Sequence, residues 1–165
     1  MVAYGEYIPI FGADHLIYIF GLILLAFLLY VNRHRIKPHR GKLTMILFIT
    51  SIIQQILLYS AYFYLLDFDL AESLPLHISR INTILGLIYL VTKNEKLFRV
   101  MSYLSLYAWT SFLYPSRVYG FNHPLGLSFF INHVITLLLP FYAMMAYNAR
   151  IDKKDRNRAF VWFII

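Results

Sequence analysis

Successive long apolar runs, each of a length suited to a bilayer, constrain this chain more than any other feature. They cover about residues 15–31, 43–66, 74–92, 97–114 and 125–147. A spanning helix needs about 20 residues, so the pattern predicts five transmembrane helices joined by short loops. A sixth run, residues 159–165, is too short to cross alone and reads as the opening of a truncated span. The predicted fold is therefore all-α: a polytopic transmembrane helical bundle forming a single domain over residues 1–165. Composition agrees, with 60% of residues hydrophobic and 14% charged, against about 45–50% and about 25% in soluble domains. With 165 residues committed to spans, no soluble enzyme domain fits. The absence of cysteine excludes disulfides, thiolate metal sites and a cysteine nucleophile.

The loops carry an orientation signal. Residues 33–42 hold Arg33, Arg35, Lys37, Arg40 and Lys42 with no acid, whereas the next loop holds Asp67, Asp69 and Glu72 with no base. Lys93, Lys96 and Arg99 mark the third loop and its flank, Arg117 stands alone in the fourth, and Arg150, Lys153, Lys154, Arg156 and Arg158 crowd the fifth. Odd loops thus carry 13 of the 15 basic residues. The positive-inside rule places them in the cytoplasm and the N-terminus outside. The net charge of +7 is then a topology signal rather than the gathered basic surface that nucleic-acid docking requires, so no nucleic-acid partner is expected. The first apolar run lacks a basic leader and is followed by arginines, the reverse of a secretory signal. No Asn-x-Ser/Thr acceptor occurs. That absence is consistent with a bacterial plasma membrane, the expected location.

Polar groups inside spans are costly and tend to mark function. The third run opens with Pro75, His77, Ser79, Arg80, Asn82 and Thr83; the fifth carries Asn132, His133 and Thr136 before Pro140. At about 1.5 Å per residue, His77 lies roughly 5 Å and Arg80 roughly 9 Å into the span. Three residues apart, they share a helix face. His133 falls near mid-depth, and Asp14 and His15 stand at the outer end of the first run. Asp14, His15, His77, Arg80 and His133 could therefore converge in the outer half, although sequence fixes depth and not the rotation of each helix. Several groups have simpler readings. Arg80 could snorkel to headgroups, Asp14 and His15 could cap their helix, and Gln54 and Gln55 suit interhelical hydrogen bonds. A Ser79–His77 dyad is disfavoured because residues two apart face different ways. The histidine spacing gives only a weak metal signal.

Two segments resemble a known family. Leu74-Pro75-Leu76-His77-Ile78-Ser79-Arg80-Ile81 looks like the LPLH helix of the bacterial YwaF-type integral membrane proteins, and Phe129-Phe130-Ile131-Asn132-His133 is similar to their FF-x-x-H helix. The short turn from Lys93 to Lys96 and the span end at Tyr114-Pro115 also fit. The resemblance runs over about residues 10–165. It implies kinship with the eukaryotic transmembrane protein 164 acyltransferases, which remodel phospholipid acyl chains, and makes His77 and His133 the site histidines. Those eukaryotic members use a cysteine; this chain has none, which excludes a thioester intermediate here. The family is also longer, with further spans after the fifth. The expectation is a phospholipid-remodelling acyltransferase with His77, His133 and Arg80 catalytic and with Asn132, Ser79 and Asn82 binding substrate. No cofactor or bound metal is expected, membrane lipids are the partners, and protein partners stay open. Two alternatives stand beside it: a non-enzymatic lipid or small-molecule binding or transport component, and a metal-dependent hydrolase using histidines and Asp14.

Overall fold

A computed structural model describes residues 1–66 and 78–152. Within them the chain is mostly helical and contains no strand, only an isolated bridge between Tyr7 and Tyr119. The helices are α1 (Ala13–Val31), a short α2 (Arg33–Ile36), α3 (Arg40–Leu65), α4 (Ile78–Thr92), α5 (Glu95–Leu113) and α6 (Pro124–Tyr147). The four runs whose starts are described thus became helices within a few residues of the expected bounds. The start of the 74–92 run, including His77, and the run at 159–165 lie outside the described residues. Three helices, α1, α3 and α6, are long and apolar enough to cross a membrane. Helix α4 is apolar but has 15 described residues. Helix α5 opens with Glu95, Lys96 and Arg99 and carries Ser102 and Ser105, which lower its hydropathy.

Local chemistry sets the helix ends. The Asn94 side chain accepts the backbone N–H groups of Lys96 (2.9 Å) and Leu97 (3.3 Å) at the start of α5, as an N-cap should. Helix α6 begins with Pro124, whose missing N–H costs nothing in a first turn, behind His123, whose Nδ1 accepts from the Leu125 N–H at 3.2 Å. It ends on Asn148 in the left-handed conformation, φ 54°, a usual helix stop.

Helix α6 is the centre of the bundle. Half of its apolar window is buried, against 22% for α1 and 17% for α3. Large side chains such as Phe20, Ile23 and Phe27 on α1, and Ile49, Ile53 and Ile56 on α3, face outward. In lipid that exposure costs nothing, because acyl chains are as apolar as a protein core. At the basic end, Tyr89, Phe98, Met101, Tyr142 and Ala143 pack a closed core. The Thr44 hydroxyl there links those of Tyr142 (2.8 Å) and Tyr147 (2.6 Å), and Tyr142 donates to the Arg40 carbonyl. At the other end the α5–α6 loop folds down onto the start of α6. A methyl group at Gly126 would stand 2.0 Å from the Gly120 carbonyl oxygen and 2.6 Å from that of Tyr119, so only glycine permits this approach.

Candidate functional site

A polar cavity of about 460 Å³ opens at the end of the bundle where the N-terminal segment meets the α5–α6 loop. Helix α3 contributes Gln54 and Tyr62 to its wall, α4 Ser79 and Arg80, and α6 Ser128, Asn132 and His133; Arg117 and Tyr119 come from the loop. Arg80, Ser79, Asn132 and His133, picked out in sequence from two separate helices, therefore meet on one surface. Asn82 does not. It turns into a separate crevice of about 10 Å³ with Ser51, Thr83, Thr136 and Pro140, a volume on the scale of one water molecule.

His133 is 4% exposed. Its Nδ1 lies 2.9 Å from the Phe129 carbonyl oxygen, one turn back on α6. A carbonyl only accepts, so Nδ1 carries the hydrogen and, in the neutral ring, Nε2 is a bare lone pair. That Nε2 is buried and has no hydrogen-bond partner among the described residues. The ring is held from the side by Phe129, with centroids 4.0 Å apart, and by Phe112. Helix α6 thus fixes both the tautomer and the orientation of a histidine that lines the cavity.

Around it, the Thr83 hydroxyl meets both the Asn132 side-chain amide and the Ser79 carbonyl at 2.9 Å; its one proton is shared between them, and the contact to Asn132 ties α4 to α6 beside the histidine. Arg80 is 8% exposed. Its guanidinium donates to the Tyr62 hydroxyl and lies over that ring, 4.9 Å from the centroid. It is therefore an inner-wall group, not a snorkelling one. Gln54 donates to Ser128 Oγ at 2.8 Å and accepts from Gln55 at 2.7 Å, the interhelical joint its position suggested.

Asp14 and His15 do not join this constellation, which corrects the five-group convergence. Asp14 accepts from the backbone N–H groups of Val2 (2.7 Å) and Phe121 (3.2 Å), fastening the N-terminal segment and the α5–α6 loop to the start of α1. The Phe11 N–H donates to His15 Nδ1 at 2.8 Å, so Nε2 carries the hydrogen and donates to the Phe112 carbonyl at 3.0 Å. That carbonyl is one of the four left unpaired at a helix C-terminus. Among the described residues no group of three or more His, Asp or Glu is placed to hold a metal ion.

Arg117 is the site residue that sequence reading passed over. It lines the rim in a left-handed conformation, φ 53°, one that side-chain-bearing residues rarely adopt. Its signal was its isolation as the lone base of the fourth loop. His123 was also missed. It is buried between Tyr119 (4.2 Å) and Tyr4 (4.8 Å), and burial pushes its imidazole below the ordinary value.

Apolar helices with outward-facing aliphatic surfaces, gathered around a polar cavity, define an integral membrane protein with a buried polar site. The chain belongs to the TMEM164 family, whose profile matches residues 10–165. Among curated proteins and solved structures no match is found.

Proposed function

We propose that this protein is a phospholipid-remodelling acyltransferase of the bacterial YwaF-type branch, with His133 as its general base. The observation that carries the reading is the buried Nε2 of His133, which has no hydrogen-bond partner among the described residues, in a residue that lines a cavity together with Asn132, Ser79 and Arg80. A bare buried nitrogen is expensive unless something is meant to meet it. In the proposed reaction, Nε2 takes the proton of an acceptor lipid hydroxyl as that oxygen attacks the donor's acyl carbonyl. The Asn132 NH₂ donates to the oxyanion that forms, as fixed donors do in water-poor sites. Collapse breaks the donor ester, and the imidazolium returns its proton to the departing alkoxide. No cysteine is needed, and no covalent intermediate forms. His77, outside the described residues, is the second histidine of this site by resemblance, while Asn82 faces the separate crevice. The loop charges favour a plasma-membrane protein with its N-terminus, and hence the cavity mouth, on the outer face.

The test is transfer from an acyl-labelled phospholipid to a lysolipid by purified full-length protein. Wild-type transfer that His133→Gln abolishes supports the reading. Transfer unaffected by His133→Gln, or none from any glycerophospholipid donor, overturns it. The absence of transfer together with saturable lipid binding would favour a lipid-binding or transport component, which the cavity's size also suits.

A further inference from the structure

We infer that the small crevice between α3, α4 and α6 is a sodium site, separate from the cavity and independent of the acyl-transfer reading. Ser51 reaches it from α3, Asn82 and Thr83 from α4, and Thr136 and Pro140 from α6. The four polar side chains are all buried. Asn82 Oδ1 has no hydrogen-bond partner among the described residues. Leaving a buried acceptor unmet is costly, and such an atom calls for a ligand.

Pro140 supplies a second acceptor. Helix α6 runs on through it, but proline has no N–H to give to the carbonyl four residues back, which belongs to Thr136. The neighbouring hydroxyls offer oxygen rather than hydrogen. Ser51 donates its proton to the Leu47 carbonyl at 2.8 Å, and the Thr83 proton is taken up by Ser79 and Asn132. Lone pairs are what these two hydroxyls have left. The crevice is therefore rich in acceptors. A water molecule has only two hydrogens to give, too few for the set, whereas a cation can be ligated by every oxygen that reaches it. Carbonyls released from a broken helix coordinate sodium in membrane transporters.

Charge and size narrow the ion. Among the described residues no carboxylate lines the crevice, and calcium and magnesium draw on carboxylates, so the ion is monovalent. The volume is about 10 Å³, the lower limit of what a water molecule needs. Sodium is smaller than water and potassium about as large, so the space favours sodium. The ion joins three helices, and Thr83, which also contacts Asn132, connects its site to the cavity wall.

The experiment is thermal unfolding of the purified full chain in neutral detergent, with NaCl exchanged for KCl or choline chloride at constant ionic strength. The midpoint should rise with sodium and level off, as a ligand of the folded state requires. Choline should give no rise and potassium a clearly smaller one. Asn82→Ala should abolish the sodium response. Pro140→Ala gives the more telling pattern: its new N–H meets the Thr136 carbonyl, so the sodium response should shrink while the midpoint in choline holds or rises. Equal midpoints in the three salts overturn the inference and leave the crevice to water. A sodium response that both variants keep, or that potassium matches, overturns it too. If either variant fails to fold, saturation binding of radiolabelled sodium to the wild-type chain decides: a single ion per chain upholds the site, and no saturable binding overturns it.

Discussion

Two corners of the bundle each bury a histidine, and they differ in a single hydrogen-bond count. In the corner where α1 meets the end of α5, His15 uses both ring nitrogens, one accepting from Phe11 and one donating to Phe112. In the cavity beside α6, His133 uses one nitrogen for its own helix, and its other nitrogen has no partner among the described residues. Burial is nearly equal, 1% and 4% exposed, so burial does not separate the two. What separates them is whether the protein itself completes the ring's bonding.

The largest expected effect breaks the comparison at the cavity. His133→Gln should lower transfer by about 10²–10⁴-fold, the usual worth of a positioned base, with little change in thermal stability, because only one intrahelical bond is lost. The reverse pattern, a large loss of stability with transfer retained, would make His133 a second His15. The next effect lies in the structural corner. His15→Leu strands a buried carbonyl and a backbone N–H, each worth about 1–3 kcal/mol, so denaturation midpoints should fall clearly while the transfer rate of the folded fraction stays near wild type. A smaller, pH-dependent effect tests a third histidine. His123 accepts the Leu125 N–H and is held below its ordinary value by burial. The unfolded chain therefore takes up a proton near pH 6.5 before the folded one does, and stability should decline as pH falls below that point. His123→Asn keeps a capping acceptor without a titrating ring and should flatten the profile measured between pH 7.5 and 5. The smallest change is expected at Gln55, whose side chain bonds only Gln54 among the described contacts. Gln55→Leu should shift stability by about 1 kcal/mol or less.

Helix positions were legible because a bilayer-length apolar run leaves the backbone one solution per segment. Position along each helix was legible too, since rise per residue is constant, and it singled out Ser79, Arg80, Asn132 and His133, which line one cavity. Rotation was not legible. Asn82 and Asn132 have equal sequence-level claims on the site, yet one faces the cavity and the other a crevice beside Pro140. Only the packing of α3, α4 and α6 decides between them. Arg117 was hidden for another reason. It sits in a loop whose shape is dictated by distant partners, Ile8, Asp14 and Tyr18, and no local pattern announces contacts so far apart in the chain.

The contact at Gly126 gives that loop an unusual kind of gauge. The height of the cavity rim is set by an atom that is missing, since the Gly120 and Tyr119 carbonyls rest where a side chain would begin. Adding one carbon there would work as a shim, lifting the loop while leaving every cavity side chain in the sequence unchanged. The shape of the cavity mouth is then tunable from a residue outside its lining, and the mouth and the histidine beneath it can vary independently.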